Sequence, residues 1–386
     1  MTASTGSPRV YLDHNATAPL RPEARSAVLA VLEMAANPSS VHAEGRRARA
    51  AVEEARARVA TMVGARQDRV VFTSGASEAA SLALAPDLVH GGRRGFDRLV
   101  VGSTEHAAVL HGHRFPVEAV SVVPVLSSGV IDLAALSRAL ADGGRAIVAV
   151  QAANNETGVL QPLEAVSRIA HSTGAILVTD AVQAAGRIAC DAMPADMVFL
   201  SGHKLGGLAG AGALVLLSGD LALGTPMLRG GGQERGLRAG TENVPAIAAF
   251  GAAAACGHGD GRRIGTLRDR FETALLHLAP DAVLFGHDAQ RLPNTSAFAV
   301  PGVAAEKLLM ALDLAGIAVS SGSACGSGKV GRSHVLEAMG VAPDLRRSAI
   351  RVSFGWTSAD ADVERVIDVL GTSIDRIRRR WLQAAA

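Results

Sequence analysis

Six short apolar runs, each an unbroken block followed at once by small or polar residues, limit what this chain can fold into. They are "RVVFTSG" (69–75), "RLVVGSTEH" (98–106), "AIVAVQA" (146–152), "AILVTDA" (175–181), "MVFLSGH" (197–203) and "GALVLLS" (212–218). A strand with one wet face alternates apolar and polar residues, whereas a strand covered on both faces reads as a continuous apolar block. Helical stretches such as "LAALSRALADG" and "PLEAVSRIAHSTG" lie between the runs, the second bounded by Pro162 and Gly174, residues suited to a helix start and a helix stop. The pattern predicts an α/β fold whose mostly parallel sheet is covered by helices.

After residue 257 the texture changes. A polar "GHGDGRR" junction precedes an amphipathic stretch at 263–278 and strands at "NTSAFAV", "GIAVSS" and "AIRVSFG". These predict a smaller α+β domain, with residues 13–257 forming the large domain and residues 1–12 joining 258–386 in the small one. A chain of 386 residues that is 48% hydrophobic has ample material for both cores.

Several function classes are disfavoured. The net charge of +2, from 38 basic and 36 acidic residues, provides no long-range field for nucleic acid or a membrane surface. The start "MTASTGSPRV" lacks a basic segment with an apolar core, and the best apolar run, "AIAAFGAAAAC" (246–256), falls short of the roughly 18 residues of a membrane span. Three cysteines, at 190, 256 and 325, cannot all pair within one chain. A soluble protein of a reducing, cytoplasmic compartment is expected, without a metal.

In open α/β sheets ligands bind at the carboxyl ends of strands, and the runs deliver polar groups there. Thr73-Ser74-Gly75-Ala76-Ser77-Glu78 leads into an alanine-rich helix, a setting that favours an anion, although Ser77 alone could be a helix cap. Other runs supply Glu105-His106, Asn154-Asn155-Glu156, Asp180 with Gln183, and Ser201-Gly202-His203-Lys204. Lysine occurs only at 204, 307 and 329 in this arginine-rich chain, and Lys, unlike Arg, can lose its proton and attack a carbonyl. Lys204 lies 24 residues beyond Asp180. A pyridine aldehyde cofactor needs such an amine, an acid facing the ring nitrogen and a phosphate cradle, so pyridoxal phosphate fits the set.

These residues resemble the class V aminotransferase fold type, and within it the cysteine desulfurases of the NifS and IscS kind. The resemblance runs through "YLDHNATAPL" (11–20), "NPSSVHAEGR" (37–46), "TEHAAVL", "ANNETGVLQP", "TDAVQAAGR", "SGHKLGG", "GGGQERGLRAGTEN" (230–243) and "SSGSACGSG" (320–328). It implies that Lys204 bonds the cofactor aldehyde, that Asp180 pairs with the ring nitrogen, and that His106 stacks on the ring and helps move protons. Gln183 and Asn155 would bond the phenolic oxygen or the substrate. Ala76, Ser77, Ser201 and His203 would hold the phosphate, joined by Thr241 from the other subunit of a homodimer, and Arg351 would clamp the substrate carboxylate.

Cys325 sits in "SSGSACGSGKVGRS", eight residues before Ser333. Its Gly/Ser-rich composition is that of an exposed loop, unlike the expected burial of Cys190 and Cys256. The implied activity is removal of sulfur from L-cysteine, giving L-alanine and a persulfide on Cys325 for an iron-sulfur scaffold or a tRNA-thiolation protein. Lys329 or His106 could assist the thiolate. Leu208 occupies a position where such relatives commonly have proline. A selenocysteine lyase, another class V enzyme or a non-catalytic sulfur-binding scaffold are the alternatives.

Overall fold

The computed structural model describes residues 9–34, 37–257, 259–321 and 333–385, with side chains to 379. Cys325 and Lys329 lie outside the described residues. All six apolar runs contain strands of one seven-stranded sheet. Its order is Val70–Thr73, Gly212–Leu216, Met197–Ser201, Ile176–Asp180, Ala146–Gln151, Arg98–Gly102 and Val120–Val123. Gly212–Leu216 runs antiparallel to both neighbours, and the remaining pairings are parallel.

Alternate residues of the central strands sort cleanly onto two covered faces. Val148, Leu177, Val198 and Leu200 face one way, against helices Pro22–Leu32, Ala43–Met62, Val244–Ala255, Leu133–Ala141 and Leu163–Ser172. Ile147, Val178, Met197 and Phe199 face the other, against helix Ala76–Ala83 and the chain around Leu84 and Leu88. Each fully buried side chain of this size contributes about 1.5–3 kcal/mol by leaving water, which makes double coverage the stable arrangement for such runs. The seventh strand, Val120–Val123, is the exception: it lies at the sheet edge with Val122 59% exposed, and its mixed "VSVV" gave no unbroken apolar signal.

The alanine-rich segment near 246–256 becomes a buried helix, Val244–Ala255. It crosses Ala43–Met62 so closely that a Cβ at Gly251 would stand 2.4 Å from the Ala55 Cα. Only glycine fits there.

The second unit is a four-stranded antiparallel sheet ordered Val283–Leu284, Thr295–Ala299, Ala349–Ser353 and Ser320–Ser321. Helices Gly261–Leu278, Ala305–Leu314 and Asp360–Ala385 pack on it around Phe271, Phe298 and Phe354. The N-terminal strand Val10–Tyr11 pairs in parallel with Ile317–Ala318, and Val10 and Leu12 join this second core. The chain then passes as a strap, residues 13–17, toward the carboxyl edge of the large sheet.

Candidate active site

A cavity of about 470 Å³ opens at that edge, where the parallel strands end. Its lining includes Ala76, Ser77, His106, Asn155, Asp180, Gln183, Ser201, His203, Lys204 and Arg351. Ten of the expected residues are thus brought together from distant parts of the sequence. Thr241 does not line the cavity; it stands exposed on this single chain beyond the 230–240 segment.

Each position follows from local structure. Strand Ile176–Asp180 ends on Asp180, whose Oδ1 accepts the Val182 N–H at 2.9 Å. Strand Met197–Ser201 runs into the single turn Gly202–Leu205, which carries His203 and Lys204. Gly75 caps helix Ala76–Ala83, so Ser77 lies inside the first turn and is not the cap. Glu78 bonds back to the Ser74 N–H at 2.8 Å, closing the turn as a capping box would. Gly212 passes beneath this turn; a Cβ there would approach the Gly75 carbonyl carbon to 2.5 Å. Asn154 shapes the next turn, its Oδ1 accepting from the N–H groups of Glu156 and Thr157 at 2.9 Å each.

Electrostatics divide the lining into neutral and charged groups. Burial pushes the Asp180 carboxyl up to about 6, against the lowering effects of the Val182 N–H and of Lys204. Glu105 is 1% exposed, and burial pushes its carboxyl well above the usual range, assisted by the negative charge of Asp180. Glu105 Oε1 accepts the Gln151 N–H at 3.0 Å, while Oε2 is buried without a hydrogen-bond partner among the described residues. Burial and the nearby charge of Lys204 lower His106 and take His203 down to about 4, so both rings are neutral near pH 7. The His106 Nδ1 accepts the Ala108 N–H at 3.1 Å, which places the ring proton of the neutral form on Nε2.

The opposite wall comes from the strap and the small sheet, and the sequence reading gave the strap no role. The Lys204 amine donates to the carbonyls of Asn15 and Ala16, both at 2.7 Å. Asn15 is fully engaged: its Nδ2 donates to the Asn155 carbonyl and the Thr295 hydroxyl, and its Oδ1 accepts from Asn294. Asp13 accepts from Arg351 Nη2 at 2.7 Å, and Arg351 Nη1 donates to the Asn155 carbonyl at 2.9 Å. Arg351 is 1% exposed, and its Nε is buried without a hydrogen-bond partner among the described residues. The signal available in sequence was the polar cluster "DHNAT" (13–17), one residue beyond the two-residue strand Val10–Tyr11.

Leu208 is partly buried against the large core, so packing holds the segment where a proline would have stiffened it. Burial pushes the Cys190 thiol up to about 12, as expected of an inert cysteine. The donor set suits pyridoxal phosphate: an amine at the cavity wall, a half-buried carboxylate at a strand end, and a turn of small residues opening a helix.

Comparisons with known proteins agree with the geometry. The family model for aminotransferase class-V matches residues 10–366. A cysteine desulfurase of Cereibacter sphaeroides is 43% identical, the match covering 96% of this chain and 97% of that protein. A cysteine desulfurase of Gluconacetobacter diazotrophicus is 41% identical, covering 98% of this chain and 97% of that protein. The X-ray structure of a NifS-like protein from Rickettsia africae superposes with a TM-score of 0.83 at 32% identity, covering 95% of this chain and 99% of the other. The chain therefore belongs to the aminotransferase class-V family, and within it to the pyridoxal-phosphate-dependent cysteine desulfurases.

Proposed function

We propose that this protein is an L-cysteine desulfurase that leaves the sulfur as a persulfide on Cys325. The observation that carries the reading is the meeting of Lys204, Asp180 and Arg351 on one cavity, in a chain whose near-full-length relatives bear that name. Pyridoxal phosphate, when bound, supplies an electron sink conjugated to the substrate Cα.

The chain's own groups divide the remaining work. Lys204 would bond the aldehyde, and Asp180 would pair with the ring nitrogen. His106 stacks on the ring. Ala76, Ser77, Ser201 and His203 hold the phosphate, and Thr241 reaches it from the partner subunit of a homodimer. Arg351 takes the substrate carboxylate in concert with Asn155, and Gln183 bonds the phenolic oxygen. The Lys204 amine would take the Cα proton of the substrate. The Cys325 thiolate then forms an S–S bond to the substrate sulfur as the Cβ–S bond breaks. The electron pair of the broken bond passes to Cβ, which takes up a proton, and return of the proton from Lys204 to Cα completes alanine.

Two domains, residues 13–257 and residues 1–12 with 258–386, fit this division of labour. The sulfur acceptor in this reading is an iron-sulfur scaffold or a tRNA-thiolation protein, met in the cytoplasm. Among the described residues no helix is long and apolar enough to cross a membrane. The test is alanine formation from L-cysteine by the purified protein loaded with pyridoxal phosphate. Wild-type turnover with loss in Cys325→Ala is expected, and undiminished turnover in that variant would remove the persulfide from the account.

A further inference from the structure

Arg187 has no part in the roles above, yet it touches one of their central residues. Its Nη1 donates to the Gln183 carbonyl at 2.6 Å and to Gln183 Oε1 at 2.8 Å, and its Nη2 donates to the His14 carbonyl at 3.2 Å. All three acceptors are uncharged, and Arg187 forms no ion pair among the described residues. Arg351 differs, since Asp13 compensates it. Burial and the positive charge of Arg351 lower Arg187 to about 10, as befits a cation without a counter-ion.

The Gln183 side chain is buried and lines the cavity. An amide has one accepting end and one donating end. With Oε1 committed to Arg187, Nε2 donates one hydrogen to the Asn15 carbonyl at 3.1 Å, and its second hydrogen is what the amide has left to offer a ligand. The flipped amide would set an oxygen against the Asn15 carbonyl and an NH2 group against the guanidinium, two mismatches at once. Buried polar groups left without a partner are destabilising, so the orientation that satisfies both Arg187 and Asn15 is the one held.

We propose that Arg187 is a positioning residue for the cofactor pocket: it locks Gln183 with its amide hydrogens toward the cavity, and its uncompensated charge favours an anionic oxygen on a hydroxypyridine ring bound there. This assignment rests on the pyridoxal-phosphate reading of the site. The other ionisable groups around the cavity are Asp180, Glu105, Lys204, the Arg351–Asp13 and Arg238–Glu78 pairs and the histidines 14, 106 and 203, and none of them is altered chemically when Arg187 is changed.

The experiment titrates the absorbance of the bound cofactor against pH in the full-length holoenzyme, alongside cofactor affinity. Removing a positive charge destabilises the deprotonated form, so Arg187→Met is expected to raise the pKa of the absorbance transition by about one unit, a tenfold change in the protonation equilibrium. Cofactor binding weakens with it. Arg187→Lys keeps the charge without the fork and is expected to move the transition by less than half as much. Should Arg187→Met fail to fold, as judged by thermal melting without cofactor, Arg187→Gln retains a donor to Gln183 without charge and is expected to show the same rise. A transition and an affinity unmoved in the uncharged variant overturn the assignment alone. Wild-type protein that binds no pyridoxal phosphate overturns both the assignment and the reading beneath it.

Discussion

The two walls of the cavity are built by different means. On the large-sheet wall, Asp180, Ser201 and Lys204 stand at or just beyond strand ends, and Glu105 and His106 follow another. Their placement is a local matter: an apolar run stops, and the next polar residues occupy the carboxyl edge. On the opposite wall, Arg351 comes from the middle of an antiparallel strand, and Asn15 from a strap with almost no regular structure. There the site is made by long-range hydrogen bonds, Asn15 alone linking Asn155, Gln183, Lys204, Asn294 and Thr295. The charges differ as well. The first wall answers burial by pushing the Glu105 carboxyl up and the His106 and His203 rings down, whereas the second faces the Arg351 guanidinium with the Asp13 carboxylate. Burial unaided pushes a group toward its neutral form, and a buried charge persists where a partner is supplied.

The comparison makes substitutions on the two walls fail differently. The largest effect is expected on the first wall: Lys204→Ala should lower alanine formation by about 10³-fold or more while the cofactor-free fold melts nearly as before. On the second wall, Asp13→Ala leaves Arg351 without its counter-ion and should cost about 3 kcal/mol of stability, read as a lower urea midpoint. A drop in activity with unchanged stability would contradict the structural role given to that pair.

Asp180 provides the opposite sign. Its folded-state pKa of about 6 lies above the ordinary 3.8, so its contribution to stability is present below about pH 4 and is lost as pH rises through 6. Asp180→Asn should therefore stabilise the cofactor-free protein by about 1–3 kcal/mol at pH 8, with no gain at pH 4, while abolishing most activity. Equal melting shifts at both pH values would show that the carboxylate is not held against burial. The smallest effect is expected for Thr17→Val, which removes the hydroxyl 3.1 Å from His203 Nδ1 and should cost about 1 kcal/mol.

The same contrast explains what could be read in the sequence. Strand positions and the residues after them were legible because covered parallel strands are continuous apolar blocks, and Lys204, Asp180, His106 and Ser77 all sit within a few residues of such a block. Strand Val120–Val123 was not, because an exposed edge relaxes the apolar requirement. Antiparallel Gly212–Leu216 was visible as a strand but not as to direction, since burial on both faces gives the same composition either way. Asn15, Asp13 and Arg187 escaped notice for another reason. Their roles depend on partners up to 338 residues away, and a polar residue next to a short strand is ordinary until its partners are known. Ser77 lines the cavity, and the competing reading of it as the helix cap is removed because Gly75 takes that position.

The most direct test is chemical. Reduction of the pyridoxal-phosphate-loaded protein with borohydride, followed by peptide mass mapping, should place one pyridoxyl group per chain on Lys204. A label on Lys307 or Lys329, or no label at all, would contradict the central claim that this amine holds the cofactor.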